Sequence, residues 1–155
     1  MLQTTLCYPS RDGSYLMLHR VKKEHDVNRD KWIGIGGKFE QGESPEDCMR
    51  REFTEETGLT AEKWKYCGIV TFVSPDWCEY MHLFSVTEFS GTIRDCDEGE
   101  LQWIAKEKLY ELPMWEGDKI FLELLDREDE PFFSLKLVYE GETLVSAYKN
   151  GTRIR

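Results

Sequence analysis

No apolar run in the 155-residue sequence approaches the roughly 18 residues that a membrane-crossing helix requires. The opening stretch MLQTTLCYPSRDG also lacks the basic and long apolar regions of a secretory signal. A cytoplasmic protein without a membrane partner is therefore expected. Cysteines are few and poorly arranged for cross-linking: Cys7, Cys48, Cys67, Cys78 and Cys96 are scattered, odd in number and never spaced C-x-x-C. Neither a disulfide framework nor a zinc site follows from that spacing, and reduced core thiols do. His19, His25 and His82 stand apart from one another and from the cysteines. Basic residues are in deficit, 20 Lys and Arg against 30 Asp and Glu, for a formal net charge of −10. Such a surface repels nucleic-acid polymers and anionic membranes, so a polyanionic ligand needs a cation to mediate its binding.

What is present suffices for one core. With 40% hydrophobic and 13% aromatic residues, positions 1–155 are expected to form a single domain. Gln3 to Tyr8 and Tyr15 to His19 read as strands around the polar turn Pro9 to Ser14. A charged loop from Lys22 to Lys31 precedes Trp32-Ile33-Gly34-Ile35-Gly36-Gly37, a short apolar strand that ends in glycines. Ser44-Pro45-Glu46-Asp47 starts a helix, with Ser44 as cap, Pro45 in the first turn and the acids at the positive end of the dipole. Gly58 stops it. Trp64 to Val73 and Glu79 to Phe89 form a strand pair, Leu101 to Ile104 a further strand, and Lys106 to Tyr110 one helical turn. Ile120, Phe121, Leu124 and Leu125 have the spacing of an amphipathic helix over Gly117 to Asp126. Phe132 to Tyr139 and Thr143 to Tyr148 close the chain as a hairpin, which makes the fold a mixed sheet with two principal helices.

The first helix carries acids where apolar residues belong. At about 100° per residue, with Glu52 at zero, Cys48 falls near −40°, Glu56 near +40°, Met49 near +60° and Phe53 near +100°. Glu55 borders that arc at about −60°, whereas Glu46, Arg50, Thr54 and Thr57 cluster on the opposite, solvated side. Gathering several carboxylates against the protein costs several kcal/mol per ion unless they protonate or a cation compensates them. Hard divalent metals, magnesium above all, bridge such carboxylates to substrate phosphates. Arg51, one turn before Glu55, is placed to orient or neutralise an acid.

Gly37, Glu43, Arg51, Glu52, Phe53, Glu55, Glu56, Gly58 and Leu59 fill every fixed position of the pattern G-x5-E-x7-R-E-U-x-E-E-x-G-U. By this segment the chain resembles the Nudix hydrolases. WIGIGGKFEQGE, the Asp97-Glu98 pair, Leu112 to Trp115 and the closing hairpin are similar to the oxidised-purine nucleoside triphosphatases related to MutT. The resemblance implies an α/β (α+β) Nudix fold, a mixed sheet sandwiched between helices, and hydrolysis of a nucleoside diphosphate linked to another moiety. It implies that Glu52, Glu55, Glu56 and Glu98, with the Gly37 carbonyl, hold magnesium, or manganese in its place. Glu52 or Glu98 would be the general base, and Glu43 and Arg51 orienting groups.

The same resemblance puts Gly36, Gly37, Lys38 and Lys23 near the substrate, the lysines against phosphate oxygens. Trp115 is expected to stack on the base, Phe72 to line the pocket and Asp118 to hydrogen-bond a purine edge. Two departures stand out. Ile33 occupies the place of a base-reading asparagine, and Gly117 replaces the first of two neighbouring acids. Both remove polar readout, so the expected substrate is an oxidised purine triphosphate such as 8-oxo-dGTP by overall similarity alone. The alternatives are a nucleotide sugar, a dinucleoside polyphosphate, or a non-catalytic nucleotide sensor. Gly34-Ile35-Gly36-Gly37 lacks the Rossmann spacing, and Asp95 to Glu100 lacks that of an EF-hand.

Overall fold

The computed structural model describes all residues from Met1 to Arg155. Strands β1 (Leu2–Arg11) and β2 (Ser14–His19) meet in a turn where Asp12 and Gly13 take φ of 51° and 77°. The turn is shorter than the Pro9 to Ser14 segment read from sequence, because β1 keeps pairing through Pro9 with a later strand. The apolar stretch after the charged loop is divided: β3 (Trp32–Ile33) pairs with β2, whereas β4 (Ile35–Lys38) pairs with β1. Gly34 makes the switch at a point where a Cβ would stand 2.8 Å from the Cys7 carbonyl oxygen.

Helix α1 (Pro45–Thr57) begins with a reciprocal capping box. The Asp47 N–H donates to Ser44 Oγ at 3.1 Å, and the Ser44 N–H donates to Asp47 Oδ2 at 3.0 Å. Gly58 ends the helix at φ 81°, a left-handed value that glycine adopts without steric cost. The chain then enters β5 (Leu59–Val73) directly, where Leu59 and Ala61 are buried and Thr60 and Glu62 exposed, the period of a strand. The strand thus begins before Trp64. Thr57 is correspondingly buried, not solvated as the helical wheel predicts. Its hydroxyl donates to the Phe53 carbonyl and accepts from the Leu59 N–H, which ties the helix end to β5.

Strand β6 (Cys78–Gly91) returns beside β5, and β7 (Glu100–Ala105) pairs with β2. A 3-10 turn over Lys106–Glu111 leads to α2 (Glu116–Leu125), then β8 (Phe133–Glu140), β9 (Thr143–Lys149) and the short β10 (Thr152–Arg153). The main path runs β10-β9-β8-β5-β6-β1-β2-β3, with β4 on β1 and β7 on β2. The pairs β1–β6 and β5–β8 are parallel and the others antiparallel, so the sheet is mixed.

Both faces of the central strands are buried, because helices cover both. On β1, Cys7 joins Met49 and Phe53 of α1 in one core, while its neighbour Tyr8 joins Phe121 and Leu122 of α2 in another. On β6, Phe84 and Leu83 divide in the same way. No helix is long and apolar enough to cross a membrane.

Candidate active site

Gly36 lets β4 close on β1, and Gly37 lets it lie against α1. A Cβ on Gly36 would collide with the Thr5 carbonyl, and one on Gly37 would stand 2.5 Å from the Glu52 carboxyl carbon. The strand therefore delivers backbone to the acidic face of the helix, and the Gly36 N–H donates to Glu56 Oε2 at 2.9 Å.

Around that contact the acids differ in surroundings. Glu56 is 9% exposed, and the Glu52 side chain 16%, while the Glu55 side chain is 58% exposed. Arg51 lies among them. Its Nε and Nη2 donate to the two Glu43 oxygens at 2.7 Å and 2.9 Å, and Nη1 donates to Glu52 at 2.8 Å and Glu55 at 3.2 Å. The guanidinium beside Glu43 holds that carboxyl down, to about 2. Glu56 has no such partner: burial, then the charges of Glu98 and Glu52, push its carboxyl up to about 9. Burial also raises Glu52, against the pull of Arg51.

Glu98 reaches the group from the loop before β7, where Arg20 donates to it at 2.7 Å and Lys23 at 3.3 Å. No three acids converge tightly enough to form a finished metal cage. The donor set nevertheless suits a hard divalent cation: oxygen ligands only, with buried carboxylates that repel one another. Such a cation would relieve the strain on Glu56.

The acids open into a cavity of about 720 Å³. Glu52, Glu56 and Glu98 line it together with Arg20 and Lys38, and Ile33, Phe72, Trp115 and Asp118 line it as well. Trp115 is buried and fixed from several sides. Its indole N–H donates to Asn28 Oδ1 at 2.8 Å, Lys31 Nζ sits 4.6 Å from its ring centre, and Phe72 meets it edge-on at 5.5 Å. Asp118, in the first turn of α2, is 6% exposed. Burial and then the charge of Glu79 raise its carboxyl to about 8. A second groove, of about 270 Å³ beside Asp47, Arg50 and Thr54, includes none of these acids.

The NUDIX domain family model matches residues 3–125. The chain belongs to the Nudix family. It is 32% identical over 105 residues to the oxidized purine nucleoside triphosphate hydrolase of Danio rerio, spanning 66% of this chain and 67% of that protein. It is 30% identical over 131 residues to the uncharacterized Nudix hydrolase YvcI of Bacillus subtilis, spanning 79% and 78%. The crystal structure of a MutT protein from Bacillus halodurans superposes with a TM-score of 0.86 at 28% identity, covering 97% of this chain and 98% of that one. The chain is thus a MutT-related Nudix pyrophosphohydrolase, with the mixed sheet and flanking helices of that fold. Enzymes of this family generally use divalent metal ions and act on nucleotides.

For this Nudix chain, Gly36, Gly37, Lys38, Glu52, Glu56, Glu98, Ile33, Phe72, Trp115 and Asp118 all border the one cavity. Three residues named from sequence do not. Glu55 and Arg51 lie outside the lining, paired with each other, and Lys23 lies outside it, paired with Glu98. Arg20 donates to the same acid and does border the cavity. Arg20 also holds Asp26 at 2.6 Å, which anchors the charged loop. Sequence reasoning missed Arg20, Asn28, Trp77 and Glu79, all of which line the cavity. Arg20 just precedes the charged, aperiodic loop and Asn28 lies in it, so nothing local marks them. Trp77 stacks on Phe72 at 5.7 Å, and only the hairpin register brings it there.

Gly117 also has a structural reason. A Cβ there would stand 2.7 Å from the Tyr139 hydroxyl, which already accepts the Gly117 N–H at 2.7 Å. Tyr139 takes up the space that a side chain at this position would need.

Proposed function

We propose that this single-domain chain is a magnesium-dependent nucleoside triphosphate pyrophosphohydrolase that releases a nucleoside monophosphate and pyrophosphate, with oxidised purine nucleotides such as 8-oxo-dGTP as the first substrates to test. One observation carries the reading: a single cavity is lined both by the acids Glu52, Glu56 and Glu98 and by the aromatic rings of Phe72, Trp77 and Trp115, as a molecule with a polyphosphate and a base requires. Glu52, Glu55, Glu56 and Glu98, with the Gly37 carbonyl, are the groups that would hold the metal. When bound, magnesium screens phosphate charge and makes water more acidic.

The chain's own groups do the rest. Arg20, which donates to Glu98, and Lys38, which also lines the cavity, attract the phosphate oxygens. Arg51 fixes Glu52 against rotation through its grip on Glu43. Glu52 or Glu98 accepts the proton of the attacking water. The water oxygen bonds to phosphorus, the bridging P–O bond between the α and β phosphates breaks, and the electron pair leaves with pyrophosphate. Trp115 and Phe72 offer faces and edges to the base, which stacking holds with little regard to sequence.

The test is product analysis across normal and oxidised nucleoside triphosphates with magnesium. Release of pyrophosphate is the expected result, and its absence from every triphosphate would defeat the reading. Ile33 and Gly117 favour a second reading, hydrolysis of another diphosphate such as a nucleotide sugar or a dinucleoside polyphosphate. Faster turnover of those compounds would select it.

A further inference from the structure

The wall of the cavity beneath α2 carries an acid that the sequence did not mark. Strand register pairs Glu79 of β6 with Phe72 of β5 on one side and with Leu2 of β1 on the other. Directly paired residues in neighbouring strands project to the same face, so Glu79 shares the face of Phe72, and all three line the cavity. Met81 and Thr4 continue that face one step along their strands. From across the cavity comes Asp118. Its N–H is bonded to the Trp115 carbonyl at 3.0 Å, and its carboxyl, more than nine-tenths buried, is left to the cavity. The charge of Glu79 raises the Asp118 carboxyl, which places the two acids within electrostatic reach of one another. Burial raises the Glu79 carboxyl, and Thr4 and Lys38, which face it, offset part of that rise.

We propose that Glu79 is a specificity-determining residue, which with Asp118 forms an acid pair selecting a base that presents a ring N–H beside an exocyclic amine and a carbonyl, the guanine-type edge. The inference rests on the nucleotide reading above and names the base. An ionised carboxylate only accepts hydrogen bonds, and two adjacent parallel N–H groups suit its two oxygens. A protonated carboxyl also donates, which suits the neighbouring carbonyl. Adenine and cytosine set a ring acceptor beside their amine, and uracil has no amine. An oxidation at C8 leaves the guanine edge intact. Gly117 withdraws one acid from α2, and Glu79 supplies one from β6. A site built to bond a particular N–H rejects the analogue lacking it, because its own acceptor is left unpaired.

The test compares binding of GMP and IMP, which differ only in the exocyclic amine, to the full chain with magnesium by calorimetry. The parent is expected to bind GMP at least about tenfold more tightly. Glu79→Gln and Glu79→Met, checked for folding by thermal melting, are expected to bring the two within about twofold. Equal binding of GMP and IMP by the parent, or a full preference retained in the folded variants, would overturn the proposal. Turnover of dGTP and dITP, measured alongside, separates the two readings. A preference erased at Glu79 without any triphosphate hydrolysis keeps the base assignment and defeats the hydrolase reading. Hydrolysis with the preference unmoved does the reverse.

Discussion

Arg51 holds Glu43 through two parallel hydrogen bonds, of 2.7 Å and 2.9 Å, while its remaining nitrogen donates to Glu52 at 2.8 Å. The fork also donates to the Lys38 carbonyl at 3.0 Å, so one side chain joins α1, β4 and the loop between them. A lysine has one point charge and no fork. Arg51→Lys is therefore expected to lower kcat and weaken magnesium binding by about tenfold to a hundredfold, the usual effect of losing an orienting partner. Steady-state kinetics over a magnesium titration checks this, and an unchanged metal dependence would remove Arg51 from that role.

Glu56 is buried and has no salt-bridge partner. Glu56→Gln keeps an oxygen for the Gly36 N–H and removes the repulsion from Glu98 and Glu52. Magnesium-dependent turnover is expected to fall by at least about a hundredfold, and the metal-free protein to melt at a higher temperature than the parent. The rise in melting temperature on adding magnesium should shrink at the same time. Melting curves with and without the metal decide it.

Asp118 makes stability depend on pH. Its carboxyl is raised from 3.8 to about 8 in the fold, so between those values the folded chain holds a proton that the unfolded chain has lost. The folded state binds more protons there, and stability is full below 3.8 and falls as pH rises towards 8. Asp118→Asn never ionises, so its melting temperature should decline less than the parent's between pH 4 and 8. Glu56 contributes a slope of the same sign, and the comparison between variant and parent isolates the share of Asp118. Parallel curves would contradict the assignment.

Gly117 is closed by Tyr139. Gly117→Ala is expected to destabilise the fold by about 1–3 kcal/mol, since the methyl group must displace Tyr139 or Leu137. Tyr139→Phe leaves the buried Gly117 amide unpaired, at a cost of about 1–3 kcal/mol. Restoring an acid with Gly117→Asp should therefore fail unless Tyr139 is also reduced in size. Denaturant unfolding of the single and double variants measures the coupling.

Asn28 holds Trp115, the proposed stacking surface, by its indole N–H. Asn28→Ala removes the acceptor of the Trp115 indole N–H, and KM for nucleotides should rise by about tenfold with kcat little changed. A fall in kcat at constant KM would instead place Asn28 nearer to the chemistry.

The elements that could be read along the chain are those whose signals are local. Ser44, Pro45, Asp47 and Gly58 set the ends of α1 through their own backbone preferences, and the structure has them in those roles. Glu52 and Glu56 face the protein because a period of 3.6 residues places them on the arc of Cys48 and Phe53. Thr57 was misread because its environment depends on β5 turning back at Leu59, which no helical wheel contains.

By itself the sequence determined the capping of α1, the arc of Glu52 and Glu56, and a nine-residue pattern sufficient for the reaction class, since each rests on spacing within a short stretch. Only the tertiary structure decided which cations meet Glu98, why Gly117 must remain glycine, and that Glu79 and Asp118 line one cavity. Those relationships join β1, β6, α2 and the closing hairpin. Register and packing create them, and neither is written in the identity of neighbouring residues.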